Sequence, residues 1–181
     1  IIAQKYQPVS RSYGNSQVLP RNYSKPDEIE IVLREIAEQV AARIRKRHLQ
    51  TGLVSLSLGL AQREATGRHF FSHQAKITPT NLNHDLSQTV IGLFRAHWHG
   101  QAIRNIGISY GNLISDQSQQ LNFFETPHSQ IQRRQQDFVV DSLRQRYGFK
   151  TVVKASSLLT GGTAIHRTGL VGGHNGGNSY E

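Results

Sequence analysis

Two stretches of the chain alternate strictly between apolar and small polar residues. In LVSLSLGLA, residues 53–61, Val54, Leu56, Leu58 and Leu60 fall on one side, with Ser55, Ser57 and Gly59 on the other. In FFSHQAKI, residues 70–77, Phe71, His73, Ala75 and Ile77 oppose Ser72, Gln74 and Lys76. A period of two belongs to a strand, whose successive side chains point to opposite faces. A chain built around such runs makes a sheet with one buried face and one wet face. The polar loop QREATGRH between the runs predicts an open hairpin.

The flanking segments supply the cover. SYGNSQVLP, residues 12–20, reads as a short strand entered through Gly14. RNYSKPDE then carries helix-start chemistry: Ser24 as cap, Pro26 early in the helix, and Asp27 completing an S-x-x-D box. Ile29, Val32, Leu33, Ile36, Val40 and Ile44 follow at helical spacing, so a helix is predicted over 27–48. Its opposite face carries Glu30, Arg34, Glu38 and Arg45, and its basic residues gather at the C-terminal end. Leu86, Val90, Leu93, Phe94 and Trp98 mark a second helix over 84–98. AIRNIGISYGNL, residues 102–113, predicts a last strand with Ile106, Ile108 and Tyr110 on one side. The order β-α-β-β-α-β gives an α+β fold, a two-layer sandwich. Its four-stranded, mainly antiparallel sheet has two helices on one face. The wet face then shows Ser55, Ser57, Ser72, Gln74, Lys76, Asn105 and Ser109. Short side chains allow close approach, and hydroxyl and amide groups donate hydrogen bonds, which suits a phosphate backbone.

Charge points the same way. The 181 residues carry a formal net charge of +9, which favours a polyanionic partner. At 36% hydrophobic residues, a modest core with a looser remainder is expected. There is no cysteine, which excludes disulfides and thiolate metal sites. No apolar run approaches the roughly 18 residues of a membrane span. There is no methionine either, so the chain reads as a piece of a longer protein. The carboxylates are scattered, with no cluster suited to holding two Mg²⁺ ions. Asp137 and Asp141, one helical turn apart, read as a solvated face. His97 and His99 flank Trp98 as an H-x-H pair, but no third ligand stands at metal spacing. The Gly pairs near the C-terminus are not followed by G-K-[ST] and make no phosphate loop. No catalytic residue, metal site or cofactor is therefore assigned to this chain.

Beyond Asp116 the character changes. QSQQLNFFETPHSQ is polar apart from Leu121, Phe123 and Phe124. A helix is predicted over 129–147, with Ile131, Phe138, Leu143 and Tyr147 among its apolar positions and Gly148 as its stop. TGGTAIHRTGLVGGHNGGNSYE, residues 160–181, reads as a mobile Gly-rich tail that either binds a regulatory protein or folds back.

SRSYGNSQVLP with its long helix, the hairpin, and AIRNIGISYGNL together resemble the little finger, the C-terminal DNA-binding domain of Y-family translesion DNA polymerases. The resemblance is to the UmuC/ImpB/MucB/SamB-like branch. YGFKTVVKASSLLTGGTAIHRTGLVGGHNGG is similar to the C-terminal signature of its Gram-positive UV-damage repair members. The resemblance implies that Ser12, Tyr13, Gly14, Asn15 and Ser16 approach the DNA backbone. It implies the same for a strand carrying Arg104, where Asn105 stands in place of a second basic residue. QLNFF (Gln120, Leu121, Asn122, Phe123 and Phe124) resembles the motif by which bacterial polymerases bind the sliding clamp. The implied layout is a linker over 1–11, the little finger over 12–116, a clamp-binding linker over 117–128, and a helix with tail over 129–181. The implied function is non-catalytic: sequence-independent binding of primer–template DNA and of the clamp in SOS repair, in the bacterial cytoplasm at the nucleoid. Catalytic carboxylates and Mg²⁺ would belong to a region N-terminal to Ile1. A free-standing RNA-binding module of the same architecture and a purely protein-binding adaptor are the alternatives.

Overall fold

The computed structural model describes residues 12–62, 67, 69–116 and 127–169. The elements run β1 (Tyr13–Tyr23), α1 (Pro26–Lys46), β2 (Leu49–Leu60), β3 (Phe70–Thr80), α2 (Asn83–His97), β4 (Ile103–Ser115) and α3 (Pro127–Tyr147). Two 3₁₀ turns, Phe149–Thr151 and Ala155–Leu158, then lead to the short helix α4 (Ala164–Arg167). The sheet order is β1-β4-β2-β3 and all three pairings are antiparallel. Each helix crosses one intervening strand, so the predicted β-α-β-β-α-β sandwich is the fold observed.

Every residue of the predicted α1 stripe, from Ile29 to Ile44, is fully buried. It packs on Val54, Leu56, Leu58, Ile106, Ile108 and Tyr110, while α2 adds Leu86, Val90 and Phe94 to the same layer. The Tyr110 hydroxyl donates to Ala37 O at 2.9 Å, giving the one polar atom of that ring a partner. Burial pushes the Tyr110 phenol far above its ordinary value.

Four local expectations are corrected. β1 runs on to Tyr23, and Ser24 caps nothing: Lys25 is the N-cap, without a side-chain bond, and Pro26 opens the helix. Glu38 and Arg45 lie on a covered rather than a wet face of α1. Glu38 is 6% exposed and pairs with Lys154, and Arg45 donates to Asp141 at 2.6 and 3.0 Å. Asp137 and Asp141 are not a solvated face. Asp137 accepts from Asn83 N at 2.8 Å and so caps α2 from another helix, a favourable place for negative charge. Burial raises the Asp137 carboxyl above its ordinary range, against the pull of Arg45 and the Asn83 N–H. Finally, residues 160–169, the described part of the predicted tail, are held in place rather than mobile. Thr163, Ala164 and Arg167 are buried, so this part folds back on the domain.

α3 therefore docks by its polar face. Arg134 reaches Asp116 at 2.7 Å, Asp137 reaches α2 and Asp141 reaches Arg45, while Phe138, Val139 and Tyr147 point outward. The surface it meets offers a helix N-terminus, a cation and the Asp116 carboxylate, which charged side chains satisfy and apolar ones do not. A helix read alone by its apolar stripe is thus read inside out.

Arg45 also donates to Asn81 O and Asn83 Oδ1, so it joins α1, the start of α2 and α3. Arg45→Ala would leave two half-buried carboxylates facing each other, at an expected cost of about 3 kcal/mol in urea-unfolding free energy. A change within the noise of the measurement would mean that α3 is held by something else.

Candidate nucleic-acid interface

Strand register sets the residues of the wet face in rows. Gly14, Ser109, Ser55 and Gln74 stand side by side across β1, β4, β2 and β3. Ser16, Gly107, Ser57 and Ser72 form the next row, followed by Val18, Asn105, Gly59 and Phe70. On the other side of the first row lie Gly111, Leu53 and Lys76. The two middle rows enclose an open concavity of about 330 Å³. Its floor is glycine and serine, so backbone lies within reach of anything laid across it.

Sequence expectation and structure divide here by strand parity. Gly14, Ser16, Ser55, Ser57, Ser72 and Gln74 come together in the two middle rows. Lys76 and Asn105 flank them. Ser12 is exposed just ahead of β1. Tyr13 and Asn15 do not join them: Tyr13 packs against the core, and the Asn15 amide donates to Gln39 of α1 at 2.9 Å. Arg104 is the extra residue where Gly59 pairs with Asn105 but Leu60 pairs with Ile103, a bulge that breaks the alternation. Gly107 and Gly111, which the motif reading passed over, belong to the face. The signal was present, because they share the parity of Asn105 and Ser109.

The face carries little charge of its own. Among the described residues Lys76 and Arg104 are its exposed cations, while Arg21 and Arg95 are engaged by Glu28 and Glu30. Arg43 works from behind, donating to Gly14 O at 3.0 Å. Among the described residues no group of three or more His, Asp or Glu could hold a metal ion. His97 instead stacks on His73, with ring centres 3.6 Å apart. Among those residues no helix is long and apolar enough to cross a membrane. Gln120, Leu121, Asn122, Phe123 and Phe124 lie outside the described residues. The segment that contains them starts from a fixed point. Asp116 accepts from Gln50, Asn81 and Arg134 at 2.7–3.0 Å.

Residues 10–123 match the impB/mucB/samB family C-terminal domain. A Bacillus subtilis protein named as a UV-damage repair protein, UvrX, is 36% identical over 163 residues, covering 90% of this chain and 38% of its own length. DNA polymerase IV 2 of the same organism is 34% identical over 179 residues, covering 93% and 42%. The chain thus spans about two-fifths of the length of these relatives. A solved little finger domain of PolIV, in complex with the beta-clamp processivity factor, aligns with a TM-score of 0.45 and 14% identity. That alignment covers 62% of this chain and 98% of the other. It is a distant likeness.

The rows make a stability prediction of their own. A Cβ added at Gly59 would sit 2.9 Å from Asn105 Cβ, whereas one added at Gly107 meets the Ser57 hydroxyl, which can turn away. Gly59→Ala is expected to cost about 1–3 kcal/mol and Gly107→Ala less than about 1 kcal/mol in thermal unfolding. The reverse order would mean that the strand register is wrong.

Proposed function

The chain belongs to the impB/mucB/samB family through its C-terminal domain, the little finger of Y-family DNA polymerases, and we propose that it grips primer–template DNA on its wet sheet face during translesion synthesis. The observation that carries this reading is the pair of glycine–serine rows across all four strands. A duplex backbone can lie against such a surface without meeting a bulky side chain. Hydroxyls and amides contact phosphate whatever the base sequence. In this reading the binding residues are Ser12, Gly14, Ser16, Ser55, Ser57, Ser72, Gln74, Lys76, Arg104 and Asn105, with Gly107 and Ser109 added and Tyr13 and Asn15 acting through backbone alone.

Gln120–Phe124 would serve as the clamp tether. Burying three such apolar side chains yields roughly 5–9 kcal/mol gross. Association costs about 4–15 kcal/mol, so the peptide alone binds weakly and acts together with DNA contact. Polymerase chemistry would reside in the remainder of a full-length polymerase, which would supply clustered carboxylates and Mg²⁺. Primer extension by the fragment alone would sink that part of the reading.

The RNA-module alternative needs paired strand aromatics on the wet face. Tyr110 is fully buried, and Phe70, at 58% exposure, stands at the sheet edge without a partner aromatic in its row. The wet face thus favours a backbone grip over base stacking.

Fluorescence anisotropy with a primer–template duplex tests the proposal. Ser57→Glu with Ser109→Glu places charge in both middle rows and is expected to weaken binding at least about tenfold, with far-UV circular dichroism unchanged. Lys76→Ala and Arg104→Ala should each flatten the plot of log affinity against log salt by about 0.9. With sliding clamp loaded, Leu121→Ala/Phe123→Ala/Phe124→Ala should abolish the clamp-dependent gain and leave DNA affinity intact. Binding indifferent to both salt and the Glu pair would falsify the face assignment.

A further inference from the structure

The family match ends at residue 123, yet the chain continues in contact with the domain to Arg167. We infer that residues 149–169 form a clasp that holds edge strand β1 in place under the wet face, with Gln17, Glu35 and Arg167 as positioning residues.

Among the described residues β1 pairs with β4 alone, so no described strand holds its second edge. Its helix-facing side chains do that work from below. Leu19 enters the core, and Asn15 bonds to α1. Two further polar groups, on Gln17 and Tyr23, depend on the clasp. Gln17 is 7% exposed, and its Oε1 accepts from Arg167 Nη1 at 2.8 Å and from Thr163 Oγ1 at 3.2 Å. Tyr23 donates to Gly161 O at 3.2 Å. Without the clasp both would lose these bonds and exchange them for water, which holds neither side chain in one place.

The clasp is itself fixed to α1. One oxygen of Glu35 accepts from Thr163 N at 2.9 Å and Ala164 N at 3.0 Å. Lys154 pairs with Glu38. The fit is close: a Cβ on Gly161 would lie 2.7 Å from Glu28 Cα, and one on Gly162 would lie 2.4 Å from Ser157 O. The glycines that made this segment look mobile are what let it lie flat against the domain.

Gln17 stands between Ser16 and Val18, which face the other way into the wet rows. Neighbouring residues of a strand share one backbone, so what fixes Gln17 from below fixes Ser16 and Val18 above. The consequence for DNA rests on the reading of the wet face given above; the consequence for β1 does not.

The test uses the whole chain with two readouts. Arg167→Ala is expected to lower amide-exchange protection over Gly14–Val18 about tenfold and leave the β2–β3 amides protected. Duplex DNA affinity should fall about fivefold. Arg167→Lys keeps a donor toward Gln17 and should recover most of both. Unchanged β1 protection overturns the inference, and so does loss of protection spread evenly over the sheet, which would make the clasp ordinary core. A wild-type chain that fails to bind duplex DNA would overturn the DNA reading alone, because the exchange at β1 is measured without DNA.

Discussion

Strand β4 is hydrogen-bonded to β1 on one side and to β2 on the other, and its alternation governs both layers. Ile106, Ile108 and Tyr110 point into the helices. Asn105, Gly107 and Ser109 therefore have to point out. Because β4 lies at the centre, its outward residues supply the middle of every complete row. A slip of one residue would put serine and glycine against α1 and isoleucine against solvent. Core packing and the composition of the wet face are thus one constraint seen from two sides, and the fold gets its smooth surface as a by-product of burying its isoleucines.

This explains why so much was legible in the sequence. Patterns of period two and 3.6 mark which side of each element is apolar, and every core element here except β1 has a strong one. The wet-face residues of β2 and β3 followed at once from parity. Tyr13 and Asn15 turn their side chains to the helices although they belong to the contiguous motif SYGNS, because a strand sends alternate residues to opposite faces. Arg104 escaped parity for the opposite reason: a bulge is decided by pairing with another strand, and no local pattern announces it.

The second layer of interactions was less legible because it joins distant segments through polar atoms. Glu38 and Arg45 looked like surface residues of α1, since nothing within the helix hints that later chain will cover them. Their partners lie 116 and 96 residues further on, respectively. Apolar periodicity is silent about such contacts. α3 shows the limit most clearly, because its informative residues are Arg134, Asp137 and Asp141 rather than its apolar ones. The Gly-rich segment misled in the same way, because glycine serves close packing as well as freedom.

The bond between Gln17 and Arg167 joins residues 150 apart, close to the two ends of the described chain. Contacts of such separation form late, after loop-closure entropy has been overcome by the contacts between. A ribosome releases Gln17 first and Arg167 roughly eight to thirty seconds afterwards at about 5–20 residues per second. During that interval the sandwich can assemble with its first strand resting on β4 alone. The first strand of the sandwich is thus the last to be locked, and a nascent domain keeps one loose edge until Arg167 has been made.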